Sequence, residues 1–436
     1  MVNRQIRLHA FEMACPGHIQ QGLWRHPRDR SAQYTSLDHW VGLARILERG
    51  LFDGLFLADV LGPYDVYGGN ADAALRGAVQ IPNLDPMLLV PAMAYATTHL
   101  GFAVTASTSA EHPFTFARRM STLDHLTGGR IGWNVVTGYL DSAARALGRA
   151  QQGLHDDRYD DADDFMQAAG QFWQASWAAD AVLRDRESGV FTDPARVHEV
   201  VHEAREWRTA GMHLCEPSPQ RSPVIYQAGA SARGRRFAAK HAECVFVNGT
   251  NPARVAGLVA DLRQEAAENG RTLRVFAGMT VVVGRTAAEA QDRMAEYEIY
   301  ASTEGALVQS SGSMGVDFAA MADDDPIGMV TTQAVMSNLA ALAASSAPTK
   351  RGFTASIALG GRQTPVVGSP SSVADVMQTW VETADVDGFV LARTVGPECF
   401  SEIVELLVPE LQSRGCYKTA YNDGTLREKL FHISPR

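Results

Sequence analysis

Residues 99–137 read HLGFAVTASTSAEHPFTFARRMSTLDHLTGGRIGWNVVT. The stretch predicts a strand over 99–107, a helix over 113–129 and a second strand over 130–137. Both strand segments are continuous apolar runs rather than alternating ones, which is typical of parallel strands covered on both faces. A strand, a helix and a strand in this order predict a right-handed crossover and an α/β architecture.

The same alternation continues on both sides of this stretch. Before it, strands are predicted over 4–11 and 52–59, and helices over 36–50 and 85–99. After it, strands are predicted over 222–229, 242–248, 272–284 and 387–393, and helices over 230–241, 251–270, 286–300, 371–384 and 397–415. Eight strands that alternate with helices predict an α/β fold of the closed (β/α)8 TIM-barrel type. An open doubly wound sheet is the less favoured alternative, because no glycine-rich fingerprint follows the first strand.

Two segments interrupt the alternation. Residues from about 140 to 220 contain the acidic helical stretch DDADDFMQAAGQFWQ and shorter extended pieces, and residues from about 301 to 370 are rich in Ser, Gly, Ala and Met. Connections of this length inside a compact fold are usually functional lids or insertions. We therefore expect one domain over residues 1–436 that carries two insertions.

The composition bounds the classes of function. The 436 residues are 46% hydrophobic and 20% charged, which excludes a disordered or low-complexity chain. The formal charge of -10 gives no support to nucleic-acid binding. No apolar run approaches the ~18 residues of a membrane helix, and no apolar core of a signal peptide follows the first charges. The five scattered cysteines argue against a disulfide framework, so a cytoplasmic enzyme is expected.

The sequence HEVVH at residues 198–202 matches the H-E-x-x-H pattern of zinc proteases. That mechanism needs both histidines on one helical face, with the glutamate as general base. Val200 and Val201 at the centre favour a strand instead, in which Glu199 would point away from both histidines. The segment therefore predicts an exposed hairpin and no metal site, and a zinc hydrolase is only an alternative function.

Polar residues follow or end three consecutive predicted strands. They are Asp59, Thr105, Ser107, Asn134 and Thr137. In a barrel, all of them would line the mouth at the carboxyl ends of the strands, where catalytic residues lie. Routine capping is the alternative for each residue taken alone.

The run GASARGR at residues 229–235 follows a predicted strand and opens a helix. Free backbone N–H groups at such a helix start favour an anion, and Ser231 could add a hydroxyl. An ordinary serine N-cap is the alternative. His155 and Tyr159, at the start of the acidic helix, could face the same anion.

Several long motifs together resemble the bacterial-luciferase-like flavin monooxygenases, in the branch of nitrilotriacetate monooxygenase component A. That branch includes long-chain alkane, dimethyl sulfide and dibenzothiophene sulfone monooxygenases. The motifs are GLWRHP, LERGLFDGLFLADVLGPYDVY, RRMSTLDHLTGGRIGWNVVT, HDDRYDDADDF, CEPSPQRSPVIYQAGASARGRRFAAKHAE and DGFVL. The resemblance covers nearly the whole chain.

The resemblance implies a TIM barrel that takes reduced FMN (FMNH2) from a separate NAD(P)H-dependent flavin reductase. It implies reaction with O2 to a flavin C4a-(hydro)peroxide that oxygenates a small-molecule substrate, and assembly as a homodimer or homotetramer. The residues it assigns to the isoalloxazine and ribityl region are Asp59, Thr105 and Asn134, with Thr137 at the same rim. Those it assigns to the phosphate end are His155, Tyr159, Gly229 and Ser231.

The resemblance also implies catalytic and substrate-pocket residues. His18 would assist proton transfer to the departing oxygen, and Cys15 in the same loop is either a chemical partner or a small apolar wall. The pocket candidates are Tyr64, Gln80, Tyr139 and Gln309. The sequence departs from the family at Gly138, where Ser is usual, and at Tyr139 and Gln309, where the alkane branch has His. These departures put alkane hydroxylation in doubt.

The second insertion predicts a neutral, apolar or thioether-like substrate. Between Tyr300 and Thr349 there is no Lys or Arg, so a buried polyanion would lack partners there. Four side chains are expected to offer the substrate soft apolar surface, namely Met314, Phe318, Met321 and Met329. Arg25, Arg28 and Arg30 are expected to be solvated surface charges. The same chemistry on an alkane, a cyclic ketone or an aminopolycarboxylate is an alternative, and a non-enzymatic flavin-binding protein is another.

Overall fold

Parallel strands form the centre of the molecule. The computed structural model describes residues 4–229, 231–327, 349–361 and 364–431. Within these ranges the strands are β1 Arg7–Met13, β2 Gly54–Ala58, β3 Gly101–Ser107, β4 Ile131–Val136, β5 Val182–Asp185, β6 Val190–Thr192, β7 Val200–Glu203, β8 Arg208–Gly211, β9 Val224–Gln227, β10 Cys244–Val247, β11 Arg274–Val283, β12 Val366–Gly368 and β13 Gly388–Ala392.

Eight of the described strands close into a barrel in the order β1, β2, β3, β4, β9, β10, β11, β13 and back to β1. Each neighbouring pair is parallel. The predicted (β/α)8 barrel is therefore confirmed, and the open sheet is excluded by the pairing of β10 with β11 and of β13 with β1. The short strand β12 extends the far end of β11 outside the barrel and was not predicted.

Helices surround the barrel in the predicted alternation. They are α1 Leu37–Arg49, α2 Asp72–Gly77, α3 Val90–Tyr95, α4 Pro113–Thr127, α5 Asp141–Ala146, α6 His155–Gln174, α7 Ala232–His241, α8 Pro252–Glu268, α9 Ala287–Glu298 and α10 Thr303–Met314, followed by Lys350–Ala355, Pro370–Ala384, Glu398–Glu402, Val408–Ser413 and Leu426–Phe431. No helix of the described part of the chain is both long and apolar enough to span a bilayer.

Two predicted helices are interrupted where prolines stand. The helix expected over 85–99 consists of a 3-10 turn, Pro86–Leu88, and the short α3. The helix expected over 397–415 contains a π turn at Ile403–Leu407, directly before Pro409. Proline has no N–H and crowds the carbonyl four residues earlier, so the regular hydrogen-bond pattern breaks at these points.

Two apolar layers hold the barrel. The outer layer lies between strands and helices and includes Trp40, Phe116 and Trp133, all nearly fully buried. The inner layer fills the barrel with side chains such as Phe56, Tyr226 and Phe276. Leu426 and Leu430 pack against this inner layer, so the C-terminal helix closes the end of the barrel opposite the carboxyl ends of the strands. The open end is left for a site.

The first insertion contains the HEVVH sequence in the predicted conformation. Val200–Glu203 is strand β7, which pairs antiparallel with β8, so the hairpin prediction is confirmed. The ring of His202 stacks on Trp207 at 5.5 Å rather than joining His198 on a helical face. The geometry that a zinc protease requires is thus not formed, and the zinc hydrolase alternative is wrong.

Candidate active site

A cleft opens at the carboxyl ends of the barrel strands. Its volume is about 1130 Å³, counting the solvent at its mouth. The lining contains nine residues predicted from the sequence, namely Asp59, Thr105, Ser107, Thr137, Tyr139, His155, Tyr159, Gly229 and Ser231, and it does not include Asn134. A second chamber adjoins the cleft, shares Asp59 and Thr105 with it, and is lined by Gln80. The polar strand ends thus meet at one place, as the barrel predicted.

The middle of the cleft is polar and held by neighbouring strands. Thr105 and Asn134 lie opposite each other in the register of β3 and β4, and the Asn134 amide donates to the Thr105 hydroxyl at 3.1 Å. The Asn134 Oδ1 atom is buried and accepts no hydrogen bond from the described residues. The Oε1 atom of Gln227, at the end of β9, is likewise buried and accepts no hydrogen bond from the described residues. Gln227 lines the cleft, whereas Asn134 is not in the lining and hydrogen-bonds to the lining residue Thr105, so Gln227 Oε1 is the acceptor placed to meet a donor from a bound molecule.

Asp59 lies where the cleft and the second chamber join. Its carboxylate accepts from the Asn83 side chain at 3.2 Å. Burial raises the pKa of Asp59 to about 6, and the nearby charge of Asp85 acts in the same direction, whereas hydrogen bonds from Val60 and Asn83 oppose the rise. Near neutral pH the group is therefore easily protonated compared with an exposed aspartate.

The Asp59→Asn variant is expected to have a larger free energy of unfolding than wild type at about pH 7.5, with a smaller difference near pH 4. The pKa in the folded protein is above the unfolded value, so the folded state binds more protons between about pH 4 and 6 and loses stability as pH rises through this window. Urea unfolding at both pH values measures the difference. A difference that does not change with pH would contradict the assigned burial.

The other end of the cleft brings three hydrogen-bonding side chains to the amino end of a helix. The Ser231 hydroxyl caps α7 by accepting from Gly234 N at 3.0 Å, and it lies 3.3 Å from His155 Nε2. The Tyr159 hydroxyl hydrogen-bonds to the side chains of Ser231 and Gln227, and burial raises the pKa of Tyr159, so it stays a donor. These groups meet at the amino end of α7, where the helix dipole favours negative charge.

Gly229 keeps this end of the cleft open. A Cβ atom there would lie 2.2 Å from Gln227 Nε2 and 2.6 Å from the Tyr159 hydroxyl. Any larger residue would push both side chains from their positions.

Gly138, the departure from the usual Ser, has a physical reason. Its φ is +73°, a left-handed conformation that favours glycine. A Cβ atom there would lie 3.0 Å from the Ser109 hydroxyl and 3.1 Å from Gln152 Nε2. Both residues line the cleft, so polar groups from the neighbouring loops stand where a serine side chain would be.

Cys15 and His18 lie in the loop after β1 and do not line the cleft. The Cys15 thiol is 1% exposed and donates to Gly17 O at 3.1 Å, and burial raises its pKa, which keeps it protonated. The His18 ring is 2% exposed and packs edge-on against Phe11 at 4.5 Å, above the barrel interior. Burial lowers the pKa of His18 well below its ordinary value, and the Arg393 charge lowers it further. His18 is therefore a neutral ring.

Four predicted pocket residues form one hydrogen-bonded group around His18. The Tyr64 hydroxyl bonds the Tyr139 hydroxyl at 2.6 Å and donates to Gln80 Oε1 at 3.0 Å. The side-chain amides of Gln80 and Gln309 both donate to His18 O, at 3.0 and 3.3 Å. Tyr139 lines the cleft, so the group links the cleft to the His18 loop.

The second insertion covers this group, but its apolar side chains do not face the cleft. Met314 and Phe318 are buried in a cluster of their own with Leu307 and Phe353, and Met321 packs against the same cluster. The expectation that these side chains contact the substrate is therefore wrong, because the insertion needs its own core. Met329, the fourth of the set, lies outside the described residues.

The helix α10 makes the contact with the site. Gly312 packs directly on the Tyr64 ring, where a Cβ atom would come within 2.1 Å of Cδ1, and Gln309 reaches the His18 loop. Arg25, Arg28 and Arg30, in the loop between β1 and α1, point away from the cleft, as expected. Arg28 pairs with Glu296 and Glu398 on the surface, and Arg25 and Arg30 donate to carbonyl oxygens there.

Sequence reasoning missed four polar cleft residues, namely Ser109, Gln152, Arg158 and Gln227. Ser109 lies two residues after the end of β3. Gln227 ends a predicted strand and could have been found by the same signal as Asn134. Gln152 and Arg158 come from the first insertion, where no periodic pattern indicates which side chains face the barrel.

The comparisons with known proteins agree with this geometry. The model of the luciferase-like monooxygenase family matches residues 18–387. The long-chain alkane monooxygenase of Geobacillus thermodenitrificans (strain NG80-2) is 48% identical over 433 residues, covering 99% of this chain and 95% of the relative. The dimethyl-sulfide monooxygenase of Hyphomicrobium sulfonivorans is 43% identical, with 98% and 91% covered.

A solved structure adds a cofactor to the comparison. It is a riboflavin lyase with modified FMN and riboflavin, which superposes with a TM-score of 0.94 at 36% identity and covers 99% of this chain and 97% of its own. The family model spans most of the chain, and both relatives are similar from end to end. The chain therefore belongs to the luciferase-like monooxygenase family and is a flavin-dependent monooxygenase.

Proposed function

We propose that the protein is the oxygenase of a two-component system that takes FMNH2 from a flavin reductase and oxygenates a small neutral organic or organosulfur substrate with O2. The observation that carries the proposal is the cleft itself. It combines hydrogen-bonding groups at the amino end of α7, the buried acceptor Gln227 Oε1, and a chain of hydrogen bonds from Tyr139 through Tyr64 and Gln80 to the backbone carbonyl of His18.

The residues present fit FMN. Tyr159, Ser231 and His155, with the amino end of α7, would hold the phosphate. The buried acceptor Gln227 Oε1 matches the N–H and hydroxyl donors of the isoalloxazine and ribityl groups. Thr105, Thr137 and Asp59 would complete this region. When bound, FMNH2 would activate O2 so that one oxygen atom passes to the substrate.

His18 acts as a neutral donor in this proposal. With its pKa held low, the ring is neutral and keeps one N–H, which can donate a hydrogen bond to an oxygen atom at the reacting centre without bringing a charge into the pocket. The surrounding group of Tyr64, Gln80 and Tyr139 orients the loop and presents hydroxyls, while α10 covers it and excludes water. Cys15 is a buried, protonated thiol of the same loop rather than a thiolate, and it takes no part in the chemistry.

The charges near the cleft favour a neutral substrate. The second chamber is lined by the carboxylates of Asp59, Asp85 and Glu111, and Arg119 in the same lining already pairs with Glu111. Desolvating a polyanion beside these carboxylates would cost several kcal/mol. The names of the similar proteins given above refer to different compounds, namely a long-chain alkane, dimethyl sulfide and riboflavin. The substrate of this protein must therefore be identified with a panel of compounds.

The panel contains a dialkyl sulfide, a medium-length alkane, a cyclic ketone, riboflavin and an aminopolycarboxylate, each supplied with FMNH2 and O2. We expect kcat/KM for a neutral member to exceed that for the aminopolycarboxylate by about tenfold or more. A preference of the same size for the polyanion would refute the proposed substrate class. Product formed from riboflavin alone would replace it with a flavin substrate.

Further parts of the proposal concern the setting of the enzyme. We propose a single domain over the whole chain, a homodimer or homotetramer in solution, and a reducing cytoplasmic location. The five cysteines, all within the described residues, are unpaired, which suits that location. The purified protein should oxidise NADPH only when a flavin reductase is added, and stoichiometric oxidation without one would contradict the two-component proposal.

A further inference from the structure

A buried ion pair lies at the barrel mouth, next to the site but outside the roles proposed above. Glu12 is the last residue but one of β1, and Arg393 directly follows the neighbouring strand β13. Their side chains are 2% and 5% exposed, and the Arg393 Nε atom pairs with Glu12 Oε1. Burial raises the pKa of Glu12 to about 7 although Arg393 opposes the rise. Such a pair is costly to bury, so stability alone is a weak reason for it.

The other nitrogen atoms of the Arg393 guanidinium contact the loop that follows β1. Its Nη2 atom donates to Pro16 O at 2.9 Å and to Cys15 O at 3.3 Å. Its Nη1 atom lies 3.8 Å from Asp29 Oδ2, and that carboxylate oxygen accepts from Gly396 N at 2.7 Å. Arginine makes these contacts as a planar fork, which fixes the direction of each one. One side chain thus connects the end of β1, two parts of the loop between β1 and α1, and the loop after β13.

The position of the His18 ring depends on these backbone contacts, because its ring nitrogens form no hydrogen bond with the described residues. The ring is placed only by packing on Phe11 and by the backbone that carries it. The amides of Gln80, Gln21 and Gln309 hold the His18 carbonyl at one end of residues 15–18, and Arg393 holds the other end.

We propose that Arg393 is a positioning residue for the oxygenation reaction, which holds residues 15–18, and with them the His18 ring, above the barrel interior next to the cleft. The inference rests on the role of His18 in the proposed function. Arg393 does not touch the cleft lining, so it acts through the loop. Its positive charge also faces His18, with Glu12 and Asp29 as its counter-charges and Cys15 as the other titratable group of the loop.

The Arg393→Lys variant tests the proposal because it keeps the charge and removes the fork. Arg427→Lys is the matched control, since Arg427 also pairs with a glutamate, Glu243, and donates to the loop carbonyls of Gln220, Ser222 and Pro223, away from the cleft. Two quantities are measured. One is the rate at which a neutral maleimide labels Cys15, followed by mass spectrometry, and the other is the ratio of product formed to O2 consumed.

In the Arg393→Lys variant, we expect the maleimide to label Cys15 about tenfold or more faster than in wild type. The ratio of product formed to O2 consumed should fall about tenfold, while the affinity for FMNH2 stays unchanged. Arg427→Lys should match wild type in both measurements. Labelling at the wild-type rate would overturn the proposal, and so would fast labelling with unchanged coupling. If His18→Ala is itself fully coupled, the proposed role of His18 fails, and the labelling still decides whether Arg393 holds the loop.

A second variant covers the case in which Arg393→Lys does not fold. The double variant Glu12→Gln/Arg393→Met removes both charges together, so that neither is left buried alone. It also removes a positive charge that lowers the pKa of His18, so that pKa should rise. Fast Cys15 labelling together with a pH profile of coupling that moves to higher pH is the expected result. A wild-type labelling rate and an unmoved pH profile would overturn the proposal.

Discussion

Replacing His18 by alanine is expected to lower product formation by about two orders of magnitude while oxygen consumption continues, so that the oxygen appears as hydrogen peroxide. Two physical effects act together. The variant loses the neutral N–H donor, and it opens a space beside Phe11 that water can enter. Product, oxygen and hydrogen peroxide are measured in the same reaction.

Two further variants separate these effects. His18→Gln keeps an N–H donor of smaller size and should fall between wild type and His18→Ala. His39→Ala is the control, because His39 is a histidine of α1 whose pKa burial lowers to about 4 and which lies away from the cleft lining. Unchanged coupling in His18→Ala would leave His18 with a structural role only.

Loss of the proposed phosphate site is expected to have the second large effect. Tyr159→Phe and Ser231→Ala should each weaken FMNH2 binding by about 1–3 kcal/mol, or about fivefold to 150-fold, because each removes a hydrogen bond to a charged group. The double variant should lose less than the sum, since the two hydroxyls contact each other. Binding is measured anaerobically by fluorescence titration.

The controls remove the same groups elsewhere. Ser231 also caps α7, and its loss costs about 1 kcal/mol of stability by that route. Ser369→Ala removes an equivalent cap from the helix Pro370–Ala384, and Tyr417→Phe removes a buried hydroxyl that donates to Gly50 O and Leu51 O. Neither control should change flavin affinity. Wild-type affinity in the double variant would place the phosphate elsewhere.

The barrel could be predicted because its signal is local. Each strand is a short apolar run followed by an amphipathic helix, and a parallel sheet then forces the polar strand ends into one mouth. Thr105 and Asn134 face each other for this reason alone. The place of Ser231 could be predicted too, because a serine after a strand and before a helical stretch marks a helix start, and the structure shows it as the cap of α7 beside His155.

The remaining features depend on contacts that the sequence pattern does not contain. Glu12 and Arg393 are 381 positions apart, and only closure of the barrel brings their strands together. The apolar residues of the second insertion were expected to face the substrate. Composition alone does not show that Met314 and Phe318 instead belong to a separate apolar cluster inside the insertion. The low pKa of His18 likewise follows from burial, which only the fold determines.

Anaerobic titration of the purified protein with FMNH2 and with oxidised FMN tests whether the cleft receives a reduced flavin from a partner. We expect the Kd for FMNH2 to be lower than that for oxidised FMN by about tenfold or more, a difference of about 1.4 kcal/mol. The preference should appear without any nicotinamide cofactor. Equal affinities, or tighter binding of oxidised FMN, would show that the cleft is not a site for reduced flavin delivered by a reductase.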